Sequence, residues 1–354
     1  MKLFGKTFAR AAMVSAAVLC SAMSQAEDAL KEITYLMPAP PTLPAFAPWT
    51  LAQSKGYFAE EGLKVNFVTA RGGVDVAKQI GTGNAMVGGA IGDTPLIVRA
   101  NGIPVKAVAV LGSGSLTVLA TGDSAGIKSV TDLKGKTVTV LSYADTTYYA
   151  LLATLKKYGL TKDDMNIQAA GPAGVWKLFA TGDADAMAGA PDWVVSVQDS
   201  GRDISVVPEK DMFQSMAQAI LASDDAIKNH PDIVQGVVTA TLKGMRDIMA
   251  DPKQAAMDFA SAVPAFKGRE DYLERAFALF NERVYKNPPM PGVIDEERLG
   301  EVAKFYLAEG IVKTEVPLKD LFTNEFAKNA RPGTVADFSS TKPHIQVTTR
   351  EDRP

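Results

Sequence analysis

Asp93 and Asp192 each close a twelve-residue stretch that opens on Thr-Gly and runs through small apolar side chains: TGNAMVGGAIGD from Thr82 and TGDADAMAGAPD from Thr181. Each stretch reads as the end of one helix, a short strand and the start of the next helix, at Asp93-Thr94 and at Asp192-Trp193. A carboxylate at such a junction has two chemistries open to it. It can cap the free backbone N–H groups of the helix it begins, or accept a hydrogen bond from an N–H or O–H of a ligand. Ligands of open α/β sheets bind beyond the carboxyl ends of the strands, where helix N-termini present free N–H groups and small side chains let a ligand come close to the backbone. Two occurrences of the pattern point to two similar lobes, each offering a binding rim. Chance similarity between two Gly/Ala-rich strands is the competing reading.

The residues of covalent chemistry are scarce. The chain has two histidines, His230 and His344, and one cysteine, Cys20. Neither histidine falls at a predicted strand end. No serine nucleophile elbow, Cys–His pair, phosphate loop or His/Cys metal cluster is present. The expectation is a binder and not an enzyme, with no catalytic residue, cofactor or metal site. The formal charge is −3, which gives no basic excess for nucleic acid; a moderately acidic surface mainly favours solubility.

The elements that must position the two aspartates alternate from Glu32 to about Val207. Strands are expected at EITYLM, KVNFVTA, AMVGGAIG, VKAVAVLG, LTVLAT, KTVTVLS, NIQAA, ADAMAGA and ISVVPE, with helices between most of them. Such alternation predicts an α/β fold with mostly parallel sheets. MAQAILAS reads as one more strand. From Asp224 to about Gly310 the pattern is helical, with Pro231 in a first turn and Pro252 past a helix end, and Asn287–Pro291 is a proline-rich loop. The 354 residues, 47% of them hydrophobic, suffice for two lobes with buried cores.

Residues 1–26 read as a secretory signal: Lys2, Lys6 and Arg10, an apolar run from Ala11 to Ala22, and small residues before a cleavage site near Ala26. Removing the three basic residues takes the charge from −3 to −6. Lipid attachment at Cys20 is disfavoured by Leu19, where a lipoprotein signal wants a small residue. The mature chain is then cysteine-free, so its core stabilises it without disulfides. The tail from Arg331 is polar; HIQVTT within it either adds an edge strand or stays loose.

LAQSKGYFAEEGLKVNFV, GGVDVAKQIGTGNAMVGGAIGDTPLIVRANGIPVKAVAVL, SVTDLKGKTVTVLSYADTTYYALLATLKKYGL and LFATGDADAMAGAPDW resemble, in that order, the solute-binding proteins of ABC importers in the branch serving taurine, alkanesulfonates, nitrate and thiamine-precursor pyrimidines. The resemblance covers about residues 32 to 250. It implies a type II periplasmic-binding fold: two Rossmann-like lobes joined by a hinge, with a helical C-terminal part. Residues 27–118 begin lobe one, 119–215 form lobe two, 216–330 return to lobe one, and 331–354 are the tail. It further implies a periplasmic monomer that closes on a small molecule and is recognised by a permease working with its ATPase. A fungal pyrimidine-forming branch consumes its own histidine and carries a cysteine cluster; the mature chain lacks the cysteines, so an enzyme of that kind is the remote alternative.

Rim residues follow from the strand ends. Pro40, Thr42 and Phe46 belong to a stiff proline loop that forms one wall or merely connects. Arg71-Gly72-Gly73 opens a helix; Arg71 either grips a carboxylate or sulfonate or is a solvated surface arginine. Ser113 lies in GSGS near the crossing between lobes, either offering a hydroxyl or part of a connector. Asp93, Thr94, Asp192 and Trp193 start helices, and Trp193 either stacks on a ring or packs in the core. Trp49 and Trp176 are assigned to the core. Tyr143, Asp145, Thr146 and Thr147 occupy the place where the resemblance implies a hydroxyl-rich helix start for an anionic head. Asp145 departs from that and speaks against a simple anion site. A flat aromatic or heterocyclic ligand bearing donors is the expectation, with a small organic anion as the alternative.

Overall fold

The computed structural model describes residues 29–286 and 288–330. The signal segment with Cys20, and the tail with HIQVTT and His344, lie outside the described residues.

Among the described residues ten strands form: β1 (Lys31–Met37), β2 (Leu63–Thr69), β3 (Val87–Ile91), β4 (Val105–Val110), β5 (Val118–Gly122), β6 (Thr137–Val140), β7 (Asn166–Ala169), β8 (Ala186–Gly189), β9 (Ile204–Val206) and β10 (Gln218–Ser223). The helices between them are α1 (Ala47–Ser54), α2 (Tyr57–Glu60), α3 (Gly73–Gly81), α4 (Thr94–Arg99), α5 (Thr146–Lys157), α6 (Gly171–Thr181) and α7 (Pro191–Asp199). After β10 come α8 (Asp224–Asn229), α9 (Pro231–Ala250), α10 (Pro252–Ala262), α11 (Glu270–Phe280), α12 (Glu296–Ala308), α13 (Leu318–Leu321) and α14 (Glu325–Asn329). Pro252 lies just beyond the end of α9, as expected, and also opens α10, where the missing N–H of proline costs nothing; Asp251 caps α10 by accepting from Gln254 N at 2.9 Å.

Two five-stranded sheets result, ordered β2-β1-β3-β10-β4 and β7-β6-β8-β5-β9. They are mixed. β10 runs antiparallel to β3 and β4, and β5 antiparallel to β8 and β9. The reason lies in the crossings. The chain leaves the first sheet at the end of β4 and enters the second as β5; it leaves at the end of β9 and returns as β10. A strand that enters from the seam must run away from it, whereas the other strands end at it. The carboxyl ends of β1, β3, β6 and β8 therefore all face the seam, as the rule for ligand sites in α/β sheets requires.

A large buried core unites the first sheet, the C-terminal helices and one face of the second sheet. A smaller one, built on Leu119, Leu133, Val138, Leu151 and Leu155, fills the other face. Trp49 is 1% exposed. Trp176 is only half-buried, with Lys177 Nζ 5.6 Å from its ring centre: α6 turns Val175 and Phe179 inward and leaves the adjacent Trp176 at its edge. Among the described residues no helix is long and apolar enough to cross a membrane.

Candidate functional site

Where the strand ends of the two lobes meet, they enclose a hollow of about 40 Å³, room for a few water molecules. Lobe one contributes Pro38, Ala39, Leu43, Ala45, Phe46 and Trp49 from the segment after β1, Gly89–Ile91 from β3, and Gln218 from β10. Lobe two contributes Leu141, Asp145, Thr146, Thr147, Ala190 and Trp193, and Leu116 comes from the first crossing. Phe46 and Trp49 pack edge to face at 6.1 Å. Trp193 reaches the hollow because β8 ends on glycine: a Cβ at Gly189 would lie 2.3 Å from its ring. The walls are thus apolar and ring-rich, with a few polar groups among them, the usual make-up of a small-molecule site.

The lobes are closed on one another. Val74 N–H donates to the Ala144 carbonyl (3.0 Å) and Ser142 Oγ to the Arg71 carbonyl (2.8 Å). Gly72 permits this approach, since its φ is +117° and a Cβ would stand 2.7 Å from the Ala144 carbonyl oxygen. On the C-terminal side, α11 seals the seam: the Tyr272 and Ser196 hydroxyls are 3.0 Å apart, and Arg275 pairs with Asp199.

Three buried aspartates stand at helix starts, in three different situations. Asp145 caps α5, accepting the N–H (3.0 Å) and the hydroxyl of Thr147; burial pushes its carboxyl up, opposed by these donors and by the N–H groups of Gly73 and Thr146. Asp93 does not cap α4. The second position of that helix is Pro95, which has no N–H to offer, and Asp93 instead accepts from the Tyr306 hydroxyl at 2.7 Å, its other oxygen unpartnered. Burial raises its pKa to about 6, against the Tyr306 hydrogen bond and the nearby Arg298. Asp192 sits in the first turn of α7, 1% exposed, with neither carboxylate oxygen in hydrogen-bond geometry. Burial raises its pKa to about 7, although the N–H groups of Asp192, Trp193 and Ala45 lie close. Ala45 belongs to the opposite lobe, and its carbonyl accepts from Gln218 Nε2 (2.7 Å), which leaves Gln218 Oε1 buried and unpartnered.

The profile of the family described as NMT1/THI5 like matches residues 43–255. The chain belongs to that family. Among its relatives, the riboflavin-binding protein RibY of Chloroflexus aurantiacus is 26% identical over 88% of this chain and 90% of its own length. A 4-amino-5-hydroxymethyl-2-methylpyrimidine phosphate synthase of Aspergillus parasiticus is 28% identical over 67% of this chain and 73% of its own length. The solved periplasmic aliphatic sulphonate binding protein SsuA of Escherichia coli superposes with a TM-score of 0.58 over 82% of this chain and 90% of its own, at 18% identity, which shows the shared fold. The periplasmic-binding architecture with two lobes is therefore that of this NMT1/THI5-like chain.

The NMT1/THI5-like seam brings together some expected rim residues and not others. Phe46, Asp145, Thr146, Thr147 and Trp193 line the hollow, and Gly72 and Gly73 abut it from α3, a Cβ on Gly73 falling 3.0 Å from Thr146 Oγ1. Asp192 is buried and outside the lining. Asp93 is held by Tyr306 of α12 and Thr94 is buried outside the lining, so the two aspartates of the repeated pattern do not share the hollow. Arg71 is an exposed arginine, 88% accessible, paired with Asp75. Thr42 is exposed and Pro40 half-buried, both outside the lining. Ser113 is exposed, its carbonyl taken by Arg298. Tyr143 is exposed, its hydroxyl on the Ile167 carbonyl. Sequence reasoning missed Gln218, in a strand read only for its apolar run, and the part Trp49 plays in the wall. The one signal for Gln218 was a lone amide in MAQAILAS. Among the described residues no three His, Cys, Asp or Glu side chains come together as a metal site.

Proposed function

We propose that this protein is the extracytoplasmic solute-binding component of an ABC importer, closing its lobes on a flat aromatic or heterocyclic ligand and presenting the closed form to the permease and its ATPase. One observation carries the reading: rings from both lobes, Phe46 and Trp49 on one side and Trp193 on the other, wall a single interlobe hollow that Gln218 also lines, its Oε1 buried and unpartnered. Rings offer stacking surface to a planar guest. A buried acceptor without a partner favours a guest that brings a donor, because it is costly to leave unmatched. The likeness to a riboflavin-binding relative supports a ring compound, and the signal-like residues 1–26 support export. Chemistry of the pyrimidine-synthase kind has no support in the seam, whose lining contains no histidine or cysteine.

The test is a thermal-shift screen of the mature chain with riboflavin, lumichrome, hydroxymethylpyrimidine, taurine and alkanesulfonates, followed by calorimetry on the compounds that shift. A ligand bound by the closed form raises the melting temperature by mass action. Ring compounds with N–H donors are expected to stabilise, and unchanged recovery by mass spectrometry to mark a binder. Stabilisation by alkanesulfonates and by no ring compound would reject the ligand class; conversion of a ring compound would reject the binding role.

A further inference from the structure

We propose that Asp145 determines the charge specificity of the cleft: its carboxylate occupies the point where the first turns of α3 and α5 converge, takes the place an anionic ligand head would need, and restricts the hollow to uncharged or cationic guests. The inference rests on the interlobe hollow being the ligand site.

The first turns of two helices from opposite lobes meet here. α5 directs the N–H and hydroxyl of Thr147 at Asp145. α3 brings Gly72 and Gly73 against the same segment: a Cβ on Gly72 would lie 2.8 Å from Asp145 N, and one on Gly73 3.0 Å from Thr146 Oγ1. The N–H of Val74 is spent on the Ala144 carbonyl. Free N–H groups of a first turn attract anions, and in this seam those of Thr147 and Val74 are already taken, one by the chain's own Asp145 carboxylate, 5% exposed, the other by the Ala144 carbonyl. No lysine, arginine or histidine lines the hollow, and Arg71, the nearest candidate from the sequence, is spent on Asp75 at the surface. A sulfonate or carboxylate entering the hollow would meet a like charge at contact distance, in surroundings too dry to screen it, with no cation to offset it.

The experiment compares the parent mature chain with Asp145→Ser, which keeps a capping hydroxyl, and Asp145→Asn, which keeps the shape. Each is titrated with sulfate, methanesulfonate and benzenesulfonate against potassium chloride at matched ionic strength, and with lumichrome as the uncharged probe. The parent is expected to show no anion-specific stabilisation. The serine variant is expected to gain at least about tenfold in affinity for the sulfonates, the magnitude a helix-terminus anion contact supports, and the asparagine variant a smaller gain. Sulfonate binding by the parent overturns the proposal, and so does a folded serine or asparagine variant without any gain. If the serine variant does not fold, the asparagine variant and the parent decide by the same criteria. The lumichrome arm separates the two readings: loss of all ring binding by the parent with the anion gain intact removes the ring ligand and keeps the role of Asp145.

Discussion

The hydroxyls of Ser115 and Ser215 lie 2.8 Å apart and buried, a hundred residues apart in the chain. They stand where the two crossings between the lobes run side by side. Leu111 N–H donates to the Gln218 carbonyl at 2.7 Å on the same ladder. Arg298, from the first turn of α12, donates one guanidinium arm to the Ser113 carbonyl and the other to the Ser215 carbonyl. One cation thus ties both crossings to the C-terminal helices, and it also lies close to the buried Asp93.

Replacing Arg298 by Met removes both charge-assisted bonds and the neighbour that offsets Asp93. A loss of about 2–4 kcal/mol is expected from bonds of this type, read by urea denaturation of the unliganded protein. A change within about 0.5 kcal/mol, the range of an ordinary surface substitution, would show that the clamp is not stabilising.

Trp49 and Trp193 wall the hollow, while Trp176 sits beside Lys177 away from it. A ring ligand is therefore expected to quench part of the tryptophan emission in the parent and in Trp176→Phe, and less in Trp193→Phe. Trp193→Ala should weaken binding by about tenfold or more, the scale of one lost aromatic contact. Equal affinity by calorimetry in a folded variant would take Trp193 out of the site.

Asp192 predicts a pH dependence. Burial raises its folded pKa from the ordinary aspartate value of 3.8 to about 7. The protonated folded form is thus the favoured one, and its stabilising contribution is complete below about pH 4. It is lost as pH rises toward 7, at no more than about 1.4 kcal/mol per pH unit. Asp93 titrates in the same direction, with a folded pKa of about 6. The difference between the parent and Asp192→Asn isolates the Asp192 part: the variant should gain relative stability between pH 5 and 7 in denaturant melts. A constant difference across that range would refute the assignment.

Gly72→Ala places a Cβ 2.7 Å from the Ala144 carbonyl oxygen at a φ of +117°. Closure is expected to fail. Ligand affinity should fall by more than about tenfold, since a bound form that is seldom populated binds correspondingly weakly. Small-angle scattering should show the variant more extended than the parent in the presence of ligand; identical profiles and affinities would mean that the α3 start does not gate the seam.

Much of the fold was legible in the chain. Alternation of period-two and helical apolar patterns located the strands, and the Thr-Gly pairs at Gly83 and Gly182 marked helix ends, because these are local consequences of backbone sterics and amphipathic burial. The repeated TG…D pattern located the strand ends that face the seam. Residue types alone also determined how few histidines and cysteines the cleft could draw on. What tertiary structure decided was the direction of each side chain at those ends. Asp93 and Asp192 occupy equivalent places in the pattern, yet Tyr306, more than two hundred residues on, claims one, and the opposite lobe's Ala45 meets the other. The reversal of β5 and β10, the partnership of Asp145 with Gly73 and the recruitment of Gln218 likewise depend on which distant segments packing brings into contact. Local propensity carries no information about such partners, because the free energy that selects them is gained only when two lobes, each folded on its own sheet, press together.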